Sequence, residues 1–292
     1  MKPPSGPHAV LAHYFDGPGF PPAQGSLSVD DWQRGLDAYG TRLIPAQDWI
    51  ARCLAGTLEN AVCVTLDDGL REAYVLARPA LEQRGLTAAW NCYTGPYVGV
   101  ANALESYRWL RNHGFGSVDA FYDEVESLYP DAPEDYLGDR GYLTERDRRF
   151  RYWRNELVSP EDYEGIMDDL LFRAETREPM REVWIRPDEL RALRTQGHVI
   201  GIHTHSHPTT MLALSREQTA LEYATSRAIL AQLLFRPPMP EAITTVSHPC
   251  GSYTEYGLQW LQEHGFTLAW GATMDGTAPW TTPRWSTGYW TP

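Results

Sequence analysis

The sequence lacks the features that mark several large classes of protein. Its 292 residues include only four cysteines, none of them paired as C-x-x-C, so we expect reduced thiols and not a disulfide scaffold. No run approaches the ~20 apolar residues of a membrane-spanning helix, which excludes a membrane span. The first residues, Met1 to Pro7, lack the apolar core of a secretory signal. We therefore expect a cytoplasmic protein.

Basic residues are also scarce relative to acidic ones. Lysine and arginine total 25 against 38 aspartates and glutamates, giving a net charge of −13. This balance argues against nucleic acid as a partner, because its phosphates require a basic face. Phenylalanine is less abundant (8) than tryptophan (11) and tyrosine (16). Aromatic rings with a polar group suit the wall of a carbohydrate cleft, although they suit a core as well.

Strand-like and helix-like segments alternate along two stretches of the chain, which predicts parallel strands wrapped by helices. The predicted strands are His8–Phe15, Ala61–Leu66, Thr87–Cys92, Val199–Ile202, Ala242–Ser247 and Thr267–Trp270. The predicted helices are one capped by Ser28, then Leu70–Arg84, Arg186–Gln196, Ser215–Leu234 and Tyr253–His264. Residues 102–184 interrupt this rhythm with charges, aromatics and helical pieces such as Ser117–Tyr129 and Pro160–Phe172. We interpret them as a helical subdomain inserted into one catalytic domain, residues 1–292.

Two adjacent carboxylates, Asp67 and Asp68, directly follow the second predicted strand. Ligands of parallel α/β sheets bind at the carboxyl ends of the strands, so these positions are candidate site residues. Two neighbouring carboxylates are costly to bring together unless something neutralises them, and a divalent cation would do so. One carboxylate would then bind the metal while the other stays free as a base. The alternative is that Asp67 or Asp68 only caps the N-terminus of the predicted helix that begins at Leu70.

Three histidines, His203, His205 and His207, lie within five residues after the fourth predicted strand. His203 and His207 share one side whether this segment is a helical turn or an extended strand end. Either geometry suits two nitrogen ligands of zinc or a similar ion. The alternative, a solvated loop that happens to be rich in histidine, explains the pattern less well.

A third segment, Ser247 to Tyr253, follows the next strand and contains a Pro-Cys-Gly turn whose backbone amides could point inward. By itself it also fits a plain strand-to-helix turn. The three segments together supply two imidazoles, one carboxylate and an open position, the ligand count of a catalytic metal site. The remaining carboxylate would activate water, and the metal would polarise a carbonyl oxygen. We expect one divalent ion, zinc first, with cobalt, nickel or manganese as alternatives.

At these residues the chain resembles the polysaccharide deacetylase family (NodB homology, carbohydrate esterase family 4). The segment Thr65-Leu66-Asp67-Asp68-Gly69 is similar to its T-F-D-D-G motif, and His203-Thr204-His205-Ser206-His207 to its H-T-x-S-H motif. Ser247 to Tyr253 is similar to its third motif, R-x-P-x-G-x-Y or A-x-P-x-G-x-Y. The resemblance covers residues 8–100 and 185–290. It implies an α/β fold, a distorted (β/α)7 barrel, here with the helical insertion.

The resemblance also implies roles for individual residues. Asp67 becomes the general base, and Asp68, His203 and His207 become the metal ligands. The turn around Cys250 and Gly251 would supply a backbone amide to the oxyanion. We also place Tyr253, His205 and His248 among the residues around the substrate.

Two residues expected from the family are missing. Many members carry an arginine at the position of Ser247 to hold the base, and Arg284 is the best substitute, although a surface arginine in a tail is an equal alternative. The late histidine that usually acts as general acid is also absent, since none follows His264. His13, His205 and His248 are the candidates. We favour His13, because it closes a rigid strand.

The resemblance predicts a metal-dependent hydrolase that removes an acyl group, most simply acetyl, from an N-acylated amino sugar. Absence of a secretory signal favours a sugar-nucleotide or other glycan intermediate as the substrate over a wall polymer. A long insertion could cap the cleft, or it could form an interface between copies of the chain. The alternatives are a hydrolase of a non-sugar C–N bond, such as a ureide or cyclic imide, and a catalytically weak sugar-binding relative.

Overall fold

The computed structural model describes residues 3–20, 22–23, 25–100, 103–137, 143–174 and 183–286. The chain divides into two compact units. One consists of Met1–Asn102 with Glu182–Pro292, and the other is Ala103–Arg181. Among the described residues, no helix combines the length and the apolarity needed to cross a membrane.

The first unit is built on a seven-stranded sheet in which each neighbouring pair of strands is parallel. The strands are β1 (His8–Ala12), β2 (Phe15–Asp16), β3 (Leu27–Ser28), β4 (Val62–Leu66), β5 (Ala88–Cys92), β6 (Val199–Ile202), β7 (Thr245–Ser247), β8 (Leu268–Trp270) and β9 (Arg284–Ser286). Their order in the sheet is β8-β7-β6-β5-β4-β1-β9, while β2 and β3 form a separate pair. The predicted α/β fold, a distorted (β/α)7 barrel, is confirmed.

Helices connect the strands of the first unit, and most of them pack against the outer face of its sheet. Those of the first unit are α1 (Val29–Tyr39), α2 (Ala46–Leu54), α3 (Arg78–Glu82), α8 (Pro187–Thr195), α9 (Arg216–Leu234) and α10 (Glu255–Glu263). Those of the second unit are α4 (Ala103–Trp109), α5 (Val118–Val125), α6 (Glu145–Tyr152) and α7 (Pro160–Arg173). Ser28 caps α1 as the sequence predicts, since its side chain accepts a hydrogen bond from the Asp31 amide.

The strands are buried on both faces, and successive residues alternate between two cores. Val10, Val64 and Trp90 belong to the outer core beneath the helices. The inward-facing core contains small residues at the corresponding alternate positions, among them Ala9, Cys63 and Ala89, together with two tryptophans, Trp49 and Trp270. Because these strand side chains are small, they leave space on the inner side of the sheet for larger side chains from other elements.

Helix α2, which the sequence pattern does not predict, supplies one of those larger side chains. Its Trp49 is fully buried, and its ring centroid lies 5.4 Å from that of Trp270 on β8. The indole nitrogen of Trp49 donates a hydrogen bond to the Ala61 carbonyl, so its polar atom is satisfied. Trp49 therefore packs within the inward-facing core with no unpaired polar group.

Several predicted elements have different boundaries in the structure. The first strand ends at Ala12, because the chain then leaves the main sheet to form β2. The strand predicted from residue 242 begins at Thr245, since residues 240–242 form a 3-10 turn that opens with Pro240. The helix predicted from Leu70 includes a π-helical segment, Ala73–Ala77, before α3.

Strand β9 is an element that the sequence interpretation left as one of two alternatives for the C-terminal segment. Arg284 pairs with Ala9 of β1, so this segment is part of the sheet and not a surface tail. Just before it, Thr282 forms a parallel bridge with Trp270 of β8. The segment that contains β9, at one end of the sheet order, thus contacts β8 at the other end, so the sheet curls toward closure.

The second unit has its own aromatic core. Phe121, Tyr122, Phe150 and Trp153 are buried there and contact one another edge to face or tilted. The Tyr122 hydroxyl donates a hydrogen bond to the carboxylate of Asp147, whose backbone lies in a capping box with Thr144. This core explains how a segment rich in charges and aromatics folds into a compact helical unit.

Replacing Trp49 with alanine should lower the free energy of unfolding by about 3–5 kcal/mol, because it empties a closed part of the core. Leu54→Ala is the matched control on the same helix, since Leu54 is 51% exposed. Urea denaturation of both variants measures the difference. A loss below about 1 kcal/mol for Trp49→Ala would show that α2 is not an integral part of the core.

Candidate metal centre and its neighbours

The alternation of side chains brings polar residues from three strands, β4, β6 and β7, to one inward face. Asp67 continues the inward-facing positions of β4, and His203 and Ser247 do the same for β6 and β7. Their strands are neighbours in a parallel sheet, so these side chains meet at its carboxyl end. The convergence predicted for the three sequence segments is present in the structure.

Asp68, His203 and His207 form a buried cluster in which each offers one ligand atom, all within 4.8 Å of one another. Oδ1 of Asp68 lies 3.3 Å from Nε2 of His203 and 3.3 Å from Nε2 of His207. Two zinc ligands at ordinary bond lengths and a tetrahedral angle are about 3.4 Å apart. The spacing of the three atoms therefore fits a divalent ion.

The protonation pattern of the cluster supports the same conclusion. His203 Nδ1 lies 2.9 Å from the Ser247 carbonyl oxygen, which can only accept, so Nδ1 carries the proton. In the neutral ring this leaves the lone pair of Nε2 facing Asp68. Oδ1 of Asp68 is buried and makes no hydrogen bond to any described residue. Lone pairs that face each other in a buried site need a cation between them, and these residues fit one.

The electrostatics of Asp68 agree with this arrangement. Positive charge on the imidazoles of His203 and His207 can take the place of that cation. Burial alone would raise the pKa of Asp68, but this charge beside its Oδ1 holds the pKa well below its ordinary value. The carboxylate is therefore ionised over the whole neutral range, the form in which it binds a metal.

The backbone around the cluster is strained. Asp68, Thr204, His207 and Cys250 have φ angles of 69°, 63°, 55° and 52°, in the left-handed region that side chains with a Cβ rarely adopt. Each such residue costs on the order of 1–3 kcal/mol and persists only where the surrounding structure enforces it. The turns that present the ligands are thus held in place by contacts outside themselves.

Asp67 lies beside the cluster and is almost completely buried, with 2% of its surface exposed. Its Oδ2 accepts hydrogen bonds from Arg284 Nη1 at 2.7 Å and from Ser247 Oγ at 2.8 Å. Its Oδ1 accepts one from Asn91 Nδ2 at 2.8 Å. Burial would raise the pKa of Asp67, but the charge of Arg284, followed by the imidazole of His203, lowers it to about 2.

Arg284 reaches Asp67 from a distant part of the chain. Its backbone pairs with Ala9 near the start of β1, and its fully buried side chain extends to the carboxyl end of the sheet. Nη2 donates to Ser247 Oγ at 2.9 Å, and Nε donates to the carbonyl of Gly271. Ser247 stands where the resemblance leads one to expect an arginine that holds the base. The guanidinium of Arg284 contacts both Ser247 and Asp67 and takes the place of that arginine.

Asn91 is a site residue that the sequence analysis missed. It lies in β5 on the same inward face as Ala89, inside an otherwise apolar run. Gly201 on the neighbouring β6 gives it room, because a Cβ at Gly201 would come within 2.5 Å of Asn91 Oδ1. A polar residue at an inward position near the end of a strand was the available signal.

The three candidate acids have different surroundings. His13 directly follows β1, and its Nε2 lies 4.0 Å from Oδ2 of Asp68, with 30% of the side chain exposed. His205 turns to Thr94, whose Oγ1 lies 2.9 Å from its Nδ1. His248 is buried, with Nε2 at 3.1 Å from the Trp280 carbonyl oxygen, and burial lowers its pKa to about 4. Of the three, only His13 stands next to the metal cluster while remaining accessible to solvent.

The Pro-Cys-Gly turn after β7 is closed by its own amides. Gly251 and Ser252 donate to the carbonyls of His248 and Pro249. The Gly251 amide is therefore used within the turn, which makes the amide of Cys250 the better donor for a ligand. Tyr253 is exposed, and its ring lies 4.9 Å from that of His248.

This fold and this cluster place the chain among the α/β-barrel proteins whose site lies at the carboxyl end of a parallel sheet. The model of the polysaccharide deacetylase family matches residues 163–269, a range that includes the segments of His203–His207 and Ser247–Tyr253. The resemblance to this family that the motifs indicated is confirmed. A comparison with curated protein sequences found no match.

Solved structures share the fold. The Streptococcus pyogenes deacetylase PplD, in complex with acetate, superposes with a TM-score of 0.57 at 12% identity, over 96% of this chain and 91% of that one. For IcaB from Ammonifex degensii the TM-score is 0.54 at 15% identity, over 96% and 92%. For the BpsB deacetylase domain from Bordetella bronchiseptica it is 0.51 at 12% identity, over 96% of both chains. At these identities the likeness concerns the fold.

Arg284→Ala should lower the free energy of unfolding by about 3–5 kcal/mol at pH 7, because it leaves the buried charge of Asp67 uncompensated. The control is Arg34→Ala, which removes an exposed ion pair with Asp31 worth less than about 1 kcal/mol. The folded pKa of Asp67, about 2, lies below the ordinary 3.8, so its ionised form stabilises the native state above pH 4 and this contribution is lost as the pH falls toward 2.

The difference in free energy of unfolding between Arg284→Ala and the wild type should therefore become smaller as the pH is lowered from 7. Protonation of Asp67 removes the charge that the variant leaves uncompensated. Urea denaturation of the metal-free proteins at several pH values measures it. A loss of stability that is small at pH 7, or that does not change with pH, would contradict the assignment of Arg284 as the counterion of Asp67.

Proposed function

We propose that this protein is a metal-dependent deacetylase that removes an acyl group, most simply acetyl, from an N-acylated amino sugar. The observation that carries the proposal is the convergence of Asp68 Oδ1 with Nε2 of His203 and of His207 beside the separately held carboxylate of Asp67. The family match and the shared fold support a deacetylase that acts on a sugar polymer.

Asp68, His203 and His207 would hold one divalent ion, zinc first, and this ion would polarise the acyl carbonyl and acidify the attacking water. The donor set of one carboxylate and two imidazoles leaves a coordination position for substrate or water, as catalytic sites require. Cobalt, nickel and manganese remain alternatives for the same ligands.

Asp67 would take the proton of the attacking water. A carboxylate oxygen has two lone pairs in its plane, and Oδ2 uses both, one for Arg284 and one for Ser247. Oδ1 accepts one hydrogen bond, from Asn91. The second lone pair of Oδ1 is therefore the basic position, and the three donors fix the direction in which it points.

The remaining two requirements are a donor for the developing oxyanion and an acid for the departing amine. The amide of Cys250 would meet the first, because the strained turn after β7 holds it at the same end of the sheet. His13 would meet the second, since it lies 4.0 Å from Asp68 and remains partly exposed to solvent. His205 would stay on the wall of the cleft, next to Thr94.

Acetate release from a panel of substrates tests the reaction. The panel contains an N-acetylglucosamine oligosaccharide, a nucleotide-linked N-acetyl amino sugar and a cyclic ureide. Zinc-dependent release of acetate from either sugar supports the proposal, and preference between the two defines the substrate class. Ring opening of the ureide alone would replace the deacetylase with a hydrolase of a non-sugar C–N bond.

Asp67→Asn should reduce turnover about 10²–10⁴-fold and leave zinc affinity nearly unchanged, because it removes a base and not a ligand. The asparagine keeps an oxygen and the shape of the side chain. His207→Ala is the matched contrast, since it removes a ligand and should reduce bound zinc. Loss of zinc from Asp67→Asn would mean that the roles of the two aspartates are exchanged.

His13→Gln should reduce turnover and remove the alkaline limb of the pH–rate profile, because that limb reports loss of the acid form of the proton donor. The decrease should be largest for substrates with poor leaving groups, and zinc content should stay the same. His264→Gln is the control, a histidine at the end of α10 stacked on Trp260. An unchanged alkaline limb in His13→Gln would exclude His13 as the acid.

A further inference from the structure

The loop that carries the two histidines of the metal cluster has an unfavourable backbone conformation. Thr204 and His207 have φ angles of 63° and 55°, and threonine is β-branched, which makes this region especially unfavourable for it. His203 is positioned by its place at the end of β6. The backbone of His207, four residues later, lies in the loop and outside any strand, although its ring contacts that of Tyr93. Something outside the loop must stabilise the conformation that brings both rings to Asp68.

Glu222, on helix α9, contacts this loop through both of its carboxylate oxygens. Oε2 accepts hydrogen bonds from the amides of His205 at 2.7 Å and Ser206 at 2.9 Å. Oε1 accepts one from Ser206 Oγ at 2.7 Å. Successive amides that converge on one oxygen form an anion-binding concavity, and hydrogen bonds to a charged acceptor are stronger than neutral ones.

The bonded residues lie between the two histidines of the cluster, so Glu222 restrains the segment that sets their separation. The opposite side of the loop is held by the segment that follows β5, because the Gly95 amide donates to the His205 carbonyl at 2.8 Å. The loop is therefore held between α9 and the segment that follows β5. Of these two supports, the charged side chain of Glu222 is the one that a substitution can remove without altering a backbone.

We propose that Glu222 is a positioning residue that holds the His203–His207 loop in its strained, ligand-presenting form and thereby sets the affinity of the site for its metal. The proposal rests on the metal centre of the proposed function. It assigns Glu222 no contact with substrate. Its action is through the two histidines.

The test compares Glu222→Ala, Glu222→Gln and a control, Glu217→Gln, in the full chain. Glu217 is an exposed residue five positions earlier on α9, so the control makes the same chemical change on the same helix. The readouts are zinc affinity, from competition with a chromophoric chelator, and hydrogen exchange of the His205 and Ser206 amides in metal-free protein.

Glu222→Ala should weaken zinc binding about 10–100-fold, as loss of an outer contact to metal-ligating histidines does elsewhere. It should also accelerate exchange of both amides. Glu222→Gln should fall between Glu222→Ala and the wild type, because a glutamine oxygen can still accept from the amides but carries no charge. Glu217→Gln should match the wild type in both readouts.

Zinc affinity within twofold of the wild type in both Glu222 variants would overturn the proposal, as would unchanged amide exchange. If Glu222→Ala does not fold, Glu222→Gln decides by the same two criteria. A wild type that binds no zinc would contradict the metal centre, whereas amide exchange would still report whether Glu222 holds the loop. Failure of the inference and failure of the proposed function are thus distinguishable.

Discussion

The structure depends on the burial of two adjacent carboxylates. Asp67 and Asp68 are 2% and 6% exposed, and each charge would be strongly unfavourable in that environment without a compensating partner. The two receive different compensation. Arg284 neutralises Asp67 directly, whereas Asp68 faces two imidazole nitrogens at a spacing that fits a cation. Under the proposed function, this difference in partners separates the metal ligand, Asp68, from the base, Asp67.

The fold makes this separation possible through the period of its strands. Inward-facing positions alternate with outward-facing ones, so Asp67 points into the interior where small residues such as Ala9 and Ala89 leave room. The side chain of Arg284 uses this room to reach Asp67 from its backbone position beside Ala9. Large side chains at these strand positions would leave no room for the side chain of Arg284.

The motifs identified from the sequence correspond to the parts of the site that are local in the chain. Asp67 and Asp68 are adjacent, and His203 and His207 lie in one short loop, so their proximity follows from spacing and from the strand before them. Alternation of strands and helices likewise predicted the parallel sheet. The same reasoning predicted neither α2 nor the boundaries of strands that end in turns, because tertiary packing decides both.

The parts that the sequence could not predict depend on contacts between distant segments. Asn91 is one polar residue in an apolar strand, and Glu222 is one of several acidic residues on a long helix. From the sequence, Arg284 is equally well interpreted as a partner of the base or as a surface residue in a tail. Only the pairing of its strand with β1 distinguishes the two. Neither pattern nor spacing indicates that His248 turns to Trp280, or that His205 turns to Thr94. Side-chain direction in a loop is set by the elements packed around it.

The most direct test of this account is anomalous X-ray diffraction from crystals of the wild-type protein grown with zinc. The account predicts one strong peak about 2.0–2.2 Å from Asp68 Oδ1, His203 Nε2 and His207 Nε2, with Asp67 outside bonding distance. A peak that includes Asp67 as a ligand, or no peak at these three residues, would contradict it.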